Sequence, residues 1–251
     1  MSGVRFGGLA GGTDDPDLAA TSTADNCTSV ADDCSLRGAT TKSNTLITTD
    51  TIEFDIPDSP EPRFEVKTIS LGTRLPAIAD NVTINGYAQP GAVPNDATTN
   101  ANSAVLKVET DGAGLGSAGL TLSGEGAVGS VIRGLVINRF DGSGVFAAAA
   151  SAVVRSNFIG TDPSGTDPSG TVDRGNGNHG VRVTSPGNLI GSPANAAQNL
   201  ISGNEESGVS VAGRDVGGAS RGRAPSSPAT PGTGSSWTTS TPPARGCWAT
   251  L

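Results

Sequence analysis

Cysteine is the first residue type in this chain whose spacing suggests chemistry. Cys27 and Cys34 stand seven positions apart in "ADNCTSVADDCSLRGAT", and the whole chain holds three cysteines. They could close a disulfide, form half of a zinc site, or act as a redox pair. A structural zinc takes about four Cys, His or acidic ligands, and the one histidine, His179, lies far along the chain in a glycine-rich turn. A redox pair is normally spaced C-x-x-C. These residues favour a disulfide closing a small loop, which would place the mature protein in an oxidising compartment.

The other candidates are weaker. Asp162, Asp167 and Asp173 fall in "TDPSGTDPSGTVDRGNGN", but their spacing departs from the Asp-x-Asp-x-Asp-Gly calcium loop. Pro and Gly at these offsets make tight turns, so a loop projecting from a repeat edge is expected. Asp32 and Asp33 read as turn and helix-cap residues beside the cysteines. His179 could serve as a general base, yet in "GNGNHGV" it reads as a solvated turn residue. No catalytic constellation, metal site or cofactor is expected. Arg133 and Arg155 are more informative, because "VIRGLVIN" (131–138) returns 22 residues later as "VVRSNFIG" (153–160). In stacked repeats the two arginines stand nearly above one another, which like charges disfavour. An anionic glycan between them would resolve the conflict; so would splaying into solvent, or pairing with Asp141 or Glu125.

The elements that must position these residues are short strands. Apolar residues recur two apart in Ile52, Phe54 and Ile56, Val82 and Ile84, Leu106 and Val108, Leu120 and Leu122, Val181 and Val183, and Val209 and Val211. That is the period of a strand with one buried face. "NLIGS" at Asn188 returns as "NLISGN" at Asn199, and a Gly-Val step recurs at Gly144, Gly180 and Gly208. Repeats of about 20–30 residues built from short strands and turns predict a β-solenoid. One coil cannot bury its own Val and Ile, whereas coils stacked ~4.8 Å apart bury a continuous aliphatic column. A β-sandwich also fits alternation and turns, but the 22-residue echo favours the solenoid.

Composition agrees. The 251 residues include 36 glycines, and charged residues make up 16%, against roughly 25% in an average domain. The net charge of −8 argues against a nucleic-acid partner, since phosphate binding needs concentrated Lys and Arg. No run approaches the ~20 apolar residues of a membrane helix, and "MSGVRFGGLAGGTDDPD" lacks the apolar core of a signal peptide. Residues 1–215 carry 13 basic and 24 acidic side chains, whereas residues 216–251 carry three arginines and no acid. In that second segment 28 of 36 residues are Ser, Thr, Pro, Gly or Ala, a composition that cannot offset its ordering entropy. It fits an O-glycosylated stalk or a frame-shifted or truncated reading.

"STADNCTSVADDCSLRGA" resembles the N-terminal motif of bacterial surface and secreted right-handed parallel β-helix proteins, named for its Cys-Ser-Leu-Arg-Glu-Ala core. "DTIEFDIP", "LPAIADNVTINGYAQPGA", "VIRGLVINRF" and "NFIGTDPSGT" resemble the stretches that follow it in those proteins, so the likeness runs from about Thr21 to Val211. The resemblance implies an exported, extracellular or cell-surface parallel β-helix with a short N-terminal capping helix, and little about activity. One position departs from the pattern. Ser35 is present, but Gly38 replaces the Glu that would complete a capping box. The lost reciprocal bond and the helical glycine should each cost on the order of 0.5–1 kcal/mol, leaving Leu36 and Ala39 to hold the helix on the first coil.

The expected organisation is a flexible segment at 1–20, a disulfide-stapled cap at 21–50, parallel β-helix repeats at 51–215 and a disordered tail at 216–251. The expected function is a non-enzymatic adhesive or structural module, with polysaccharide or cell-surface glycan as its partner at Arg133 and Arg155. The alternative is a polysaccharide lyase, hydrolase or epimerase with an incomplete or degenerate site. An enzyme should show outward acids with a basic residue in one groove, and a scaffold should show Asn, Ser and Thr ladders. The β-helix fold by itself decides neither.

Overall fold

Alternating aliphatic residues become strands here because each strand finds a parallel neighbour one coil away. The computed structural model describes residues 5–6, 34–46, 48–56, 65–96, 102–165, 173–192, 194–212 and 249–250. In chain order the elements are β1 (Arg5–Phe6), α1 (Leu36–Ser43), β2 (Asp50–Glu53), β3 (Lys67–Ser70), β4 (Val82–Asn85), β5 (Val108–Leu115), β6 (Leu120–Leu122), β7 (Val131–Arg133) and β8 (Leu135–Phe140). They continue with β9 (Val145–Ala147), β10 (Val153–Arg155), β11 (Phe158–Ile159), β12 (Val181–Val183), β13 (Leu189–Ile190), β14 (Leu200–Ile201), β15 (Val209–Val211) and β16 (Ala249–Thr250).

The strands form three sheets, ordered β1-β2-β4-β7-β10-β13, β16-β14-β11-β8-β5-β3 and β15-β12-β9-β6. From β4 onward the chain visits the first, second and third sheet in that order, four times in succession. The fold is therefore an all-β, parallel, solenoid-like stack. The 22-residue echo is one coil of the stack, with Val131 opposite Val153 and Arg133 opposite Arg155. The Gly-Val steps align as well, because Val145, Val181 and Val209 are register partners. "NLIGS" and "NLISGN" turn out to repeat within one coil, since β13 belongs to the first sheet and β14 to the second. Among the described residues one strand pair is antiparallel, β16 against β14.

Inward side chains pile into columns. Ile52, Ile84, Ile132, Val154 and Ile190 stack in the first sheet, and all but Ile190 are fully buried. Leu122, Ala147, Val183 and Val211 do the same in the third. Leu106 departs from its expected partnership with Val108. It joins Val136, Phe158 and Leu200 in a second cluster, separate from the main core and flanked by Tyr87 and Ala104. This is why β8 is buried on nearly every residue rather than on alternate ones.

Corners between strands are fixed by buried asparagines. Asn157, Asn176, Asn188 and Asn199 are buried, and each accepts a backbone N–H from a neighbouring coil, at 2.8–3.2 Å. Stacked asparagines also bond each other, Asn176 Nδ2 donating to Asn204 Oδ1 at 2.8 Å. The helical cap forms despite Gly38, whose N–H donates to the Ser35 hydroxyl at 2.9 Å. Arg37 then ties α1 to the first coil, donating to the carbonyls of Arg74 at 2.7 Å and Thr73 at 2.9 Å.

Candidate functional site

Arg133 and Arg155 close β7 and β10, and the residue after each, Gly134 or Ser156, takes a positive φ of 75° or 58°. That left-handed step turns the chain from the first sheet into the second and leaves both arginines at the same corner. The column they occupy reads Glu53, Asn85, Arg133, Arg155 along the stack. Both arginines are half-buried. Neither guanidinium joins an ion pair among the described residues, and the Nε atoms of both are buried without a hydrogen-bond partner. Asp141 and Glu125, the expected alternative partners, do not pair with them. As register partners the two residues start from strands ~4.8 Å apart, and cations held at that spacing would repel by about 1 kcal/mol in bulk water and about 3 kcal/mol at an effective dielectric near 20. An anion at this corner would relieve that repulsion.

Tyr87 completes the corner. It follows β4 in a single turn of 3₁₀ helix, and Gly134 leaves room for it: a Cβ there would lie 2.8 Å from the Tyr87 ring. The phenol donates to the Ser156 carbonyl at 3.2 Å. Burial pushes its pKa up to about 12, against the opposing pull of the Ser156 side chain and of the Arg133 and Arg155 charges. The hydroxyl is thus a neutral donor at ordinary pH. The unfolded phenol ionises near 10, so this contribution to stability is complete below pH ~10 and is lost as pH rises towards ~12. Because Tyr87 is the only tyrosine, tyrosinate absorbance of the folded protein should appear with a midpoint about 2 units above that of the chain in denaturant. Coincident midpoints would contradict the buried placement.

The other candidates fall elsewhere. Cys34 is buried against Leu36 and Ala39 in the main core, while Cys27, Asp32, Asp33 and Asp167 lie outside the described residues. Asp162 and Asp173 serve their own turns, accepting the N–H of Ser164 at 3.0 Å and of Gly175 at 2.8 Å. His179 is not a solvated turn residue. Its Nδ1 accepts the Ser207 N–H at 3.3 Å and its Nε2 lies 3.1 Å from Glu206, joining adjacent coils.

A buried acidic cluster on β5 has no counterpart among the residues singled out from the sequence. Glu109 and Asp111 lie two apart on β5 and are nearly fully buried. Glu109 accepts from Thr68 at 2.7 Å, Asn138 at 2.7 Å and Arg174 at 3.2 Å. Asp111 takes both its oxygens to Arg139, whose own pKa is raised by that hydrogen bond. Two acids on neighbouring same-face positions of a strand are the kind of pair that glycoside hydrolysis uses. Yet both carboxylates are already engaged by donors of this chain, so the cluster acts as a closed electrostatic clamp. The i, i+2 spacing of the two acids was readable in "VETDG"; Arg174, 65 residues from Glu109, was not.

Among the described residues no helix is long and apolar enough to cross a membrane, and no three His, Cys, Asp or Glu side chains converge on a possible metal position. A parallel solenoid-like stack with an unpaired cationic corner is the class these observations define. No protein-family model, curated protein or solved structure matches the chain.

Proposed function

We propose that this chain is a non-enzymatic extracellular or cell-surface module, adhesive or structural, which holds an anionic glycan at Arg133 and Arg155. The observation that carries the reading is the pair of register-matched arginines with no carboxylate partner among the described residues, in a chain whose net charge is −8. The asparagine ladders support a scaffold, and the engaged state of Glu109 and Asp111 weighs against hydrolysis. We read the stack as a right-handed parallel β-helix, in line with the handedness of roughly 98% of parallel crossovers and with the resemblance of the "CSLRGA" region.

Arg133→Ser with Arg155→Ser should weaken binding to a uronate- or sulfate-bearing glycan by at least about tenfold, or ~1.4 kcal/mol, in a glycan array or by calorimetry. Identical binding by the double variant would remove the reading. Export to an oxidising compartment has its own readout. Cys27 and Cys34 should be recovered as one disulfide-linked peptide pair from protein isolated without reductant, and replacing both by Ser should lower stability by about 2–3 kcal/mol. Free thiols at both positions in secreted protein would overturn that part.

A further inference from the structure

We infer that one anionic group, not two, occupies the Arg133 and Arg155 corner, so the partner is a glycan with isolated acids: a single uronate or sulfate ester between neutral sugars. This rests on the functional reading above and makes it specific. Register partners on adjacent parallel strands stand ~4.8 Å apart. Two anions side by side at that distance repel each other as the guanidiniums do, whereas one anion between the coils is attracted to both. A guanidinium also offers several donors in a rigid fork, so two of them can share one carboxylate or sulfate.

The column around the pair sets the charge pattern of the ligand. On one side of Arg133 stands Asn85, neutral and buried, and beyond it Glu53. On the other side of Arg155 the neighbouring strand pairs Ile190 with Val154 and continues into Gly191, which has no side chain. The cationic strip is therefore two residues long and bounded by neutral positions, with an acid at one end. A densely charged polymer laid along the stack would set its flanking acids against Asn85, Glu53 and Gly191 and gain nothing there. Tyr87, beside the pair, brings no further cation to the corner, because its neutral hydroxyl already donates to the Ser156 carbonyl.

Calorimetry with two probes tests this on the full chain: an oligosaccharide with one glucuronate among neutral sugars, and an oligoglucuronate of equal length. The single-glucuronate probe should bind the unmodified protein within about threefold of the oligoglucuronate. Arg133→Ser and Arg155→Ser should each lose on the order of tenfold, and the double variant little more, because one shared anion makes the two losses non-additive. If the oligoglucuronate binds more than about tenfold tighter and the two single losses multiply in the double variant, each arginine holds its own acid; the shared-anion inference fails while the broader reading stands. If neither probe binds the unmodified protein more tightly than the double variant, both fail. Arg133→Lys, which keeps the charge, controls for loss of fold through its melting temperature and retains partial affinity on the expected outcome.

Discussion

Asn157→Ala should lower the stability of this protein by about 3–5 kcal/mol, the loss expected when several buried polar groups are left without partners together. The Asn157 side chain is fully buried and works in both directions. Its Oδ1 accepts the Leu135 N–H at 3.1 Å, and its Nδ2 donates to the carbonyls of Ile132 at 3.0 Å and Arg155 at 2.9 Å. Alanine removes both kinds of bond at once, where no water reaches to replace them. The corner then keeps Asn199 accepting the Asn157 N–H at 3.0 Å from the next coil and the Gly134 N–H donating to the Ser156 carbonyl from the preceding one. Asn85→Ala is the comparison that isolates the effect. Asn85 is also buried, but its Oδ1 has no partner, so its removal should cost less than about 1 kcal/mol. Urea denaturation reads both changes, and equal losses at the two positions would mean that the ladder bonds do not hold the coils.

How far the fold could be read in the sequence depends on which interaction fixed each element. The aliphatic columns were legible because inward residues are periodic: Ile132 and Val154 fall 22 positions apart and meet in register. The cap was legible in Ser35, which needs only its local neighbour Gly38. Arg37 was less so, since two of its acceptors, at Thr73 and Arg74, are backbone carbonyls that any residue supplies, and the third, the Thr73 hydroxyl, lies 36 residues away. Period-two patterning fails outright at β8, where Val136 belongs to a second cluster with Phe158 and Leu200 while its neighbours Leu135 and Ile137 belong to the main core. A strand buried on both faces loses the alternation that identifies it. Of the candidate site, the Arg133 and Arg155 register was readable from the echo. The lack of a carboxylate beside them and the presence of Tyr87, 69 residues from the Ser156 carbonyl it bonds, depend on the path of the chain between coils.

Gly86→Ala should be at least as costly as the asparagine change, because the obstacle is backbone. A Cβ at Gly86 would lie 2.1 Å from the Gly134 carbonyl oxygen and 2.9 Å from Leu135 Cδ2. Neither can retreat. Gly134 is pinned by its N–H bond to the Ser156 carbonyl at 3.0 Å and Leu135 is fully buried, so relief requires parting two coils at the corner that carries Arg133. Overpacking of a well-filled interior typically costs about 1–3 kcal/mol when side chains can adjust; with a carbonyl in the way, a loss of about 3 kcal/mol or more is expected. Gly116→Ala is the matched control, with nothing within 4 Å of its added methyl. There the change should be neutral or stabilising by up to about 1 kcal/mol, through the narrower unfolded ensemble. The stacking geometry therefore predicts opposite outcomes for one substitution at two glycines. Similar melting temperatures for Gly86→Ala and Gly116→Ala would show that the coils are not packed as closely as parallel backbone pairing demands.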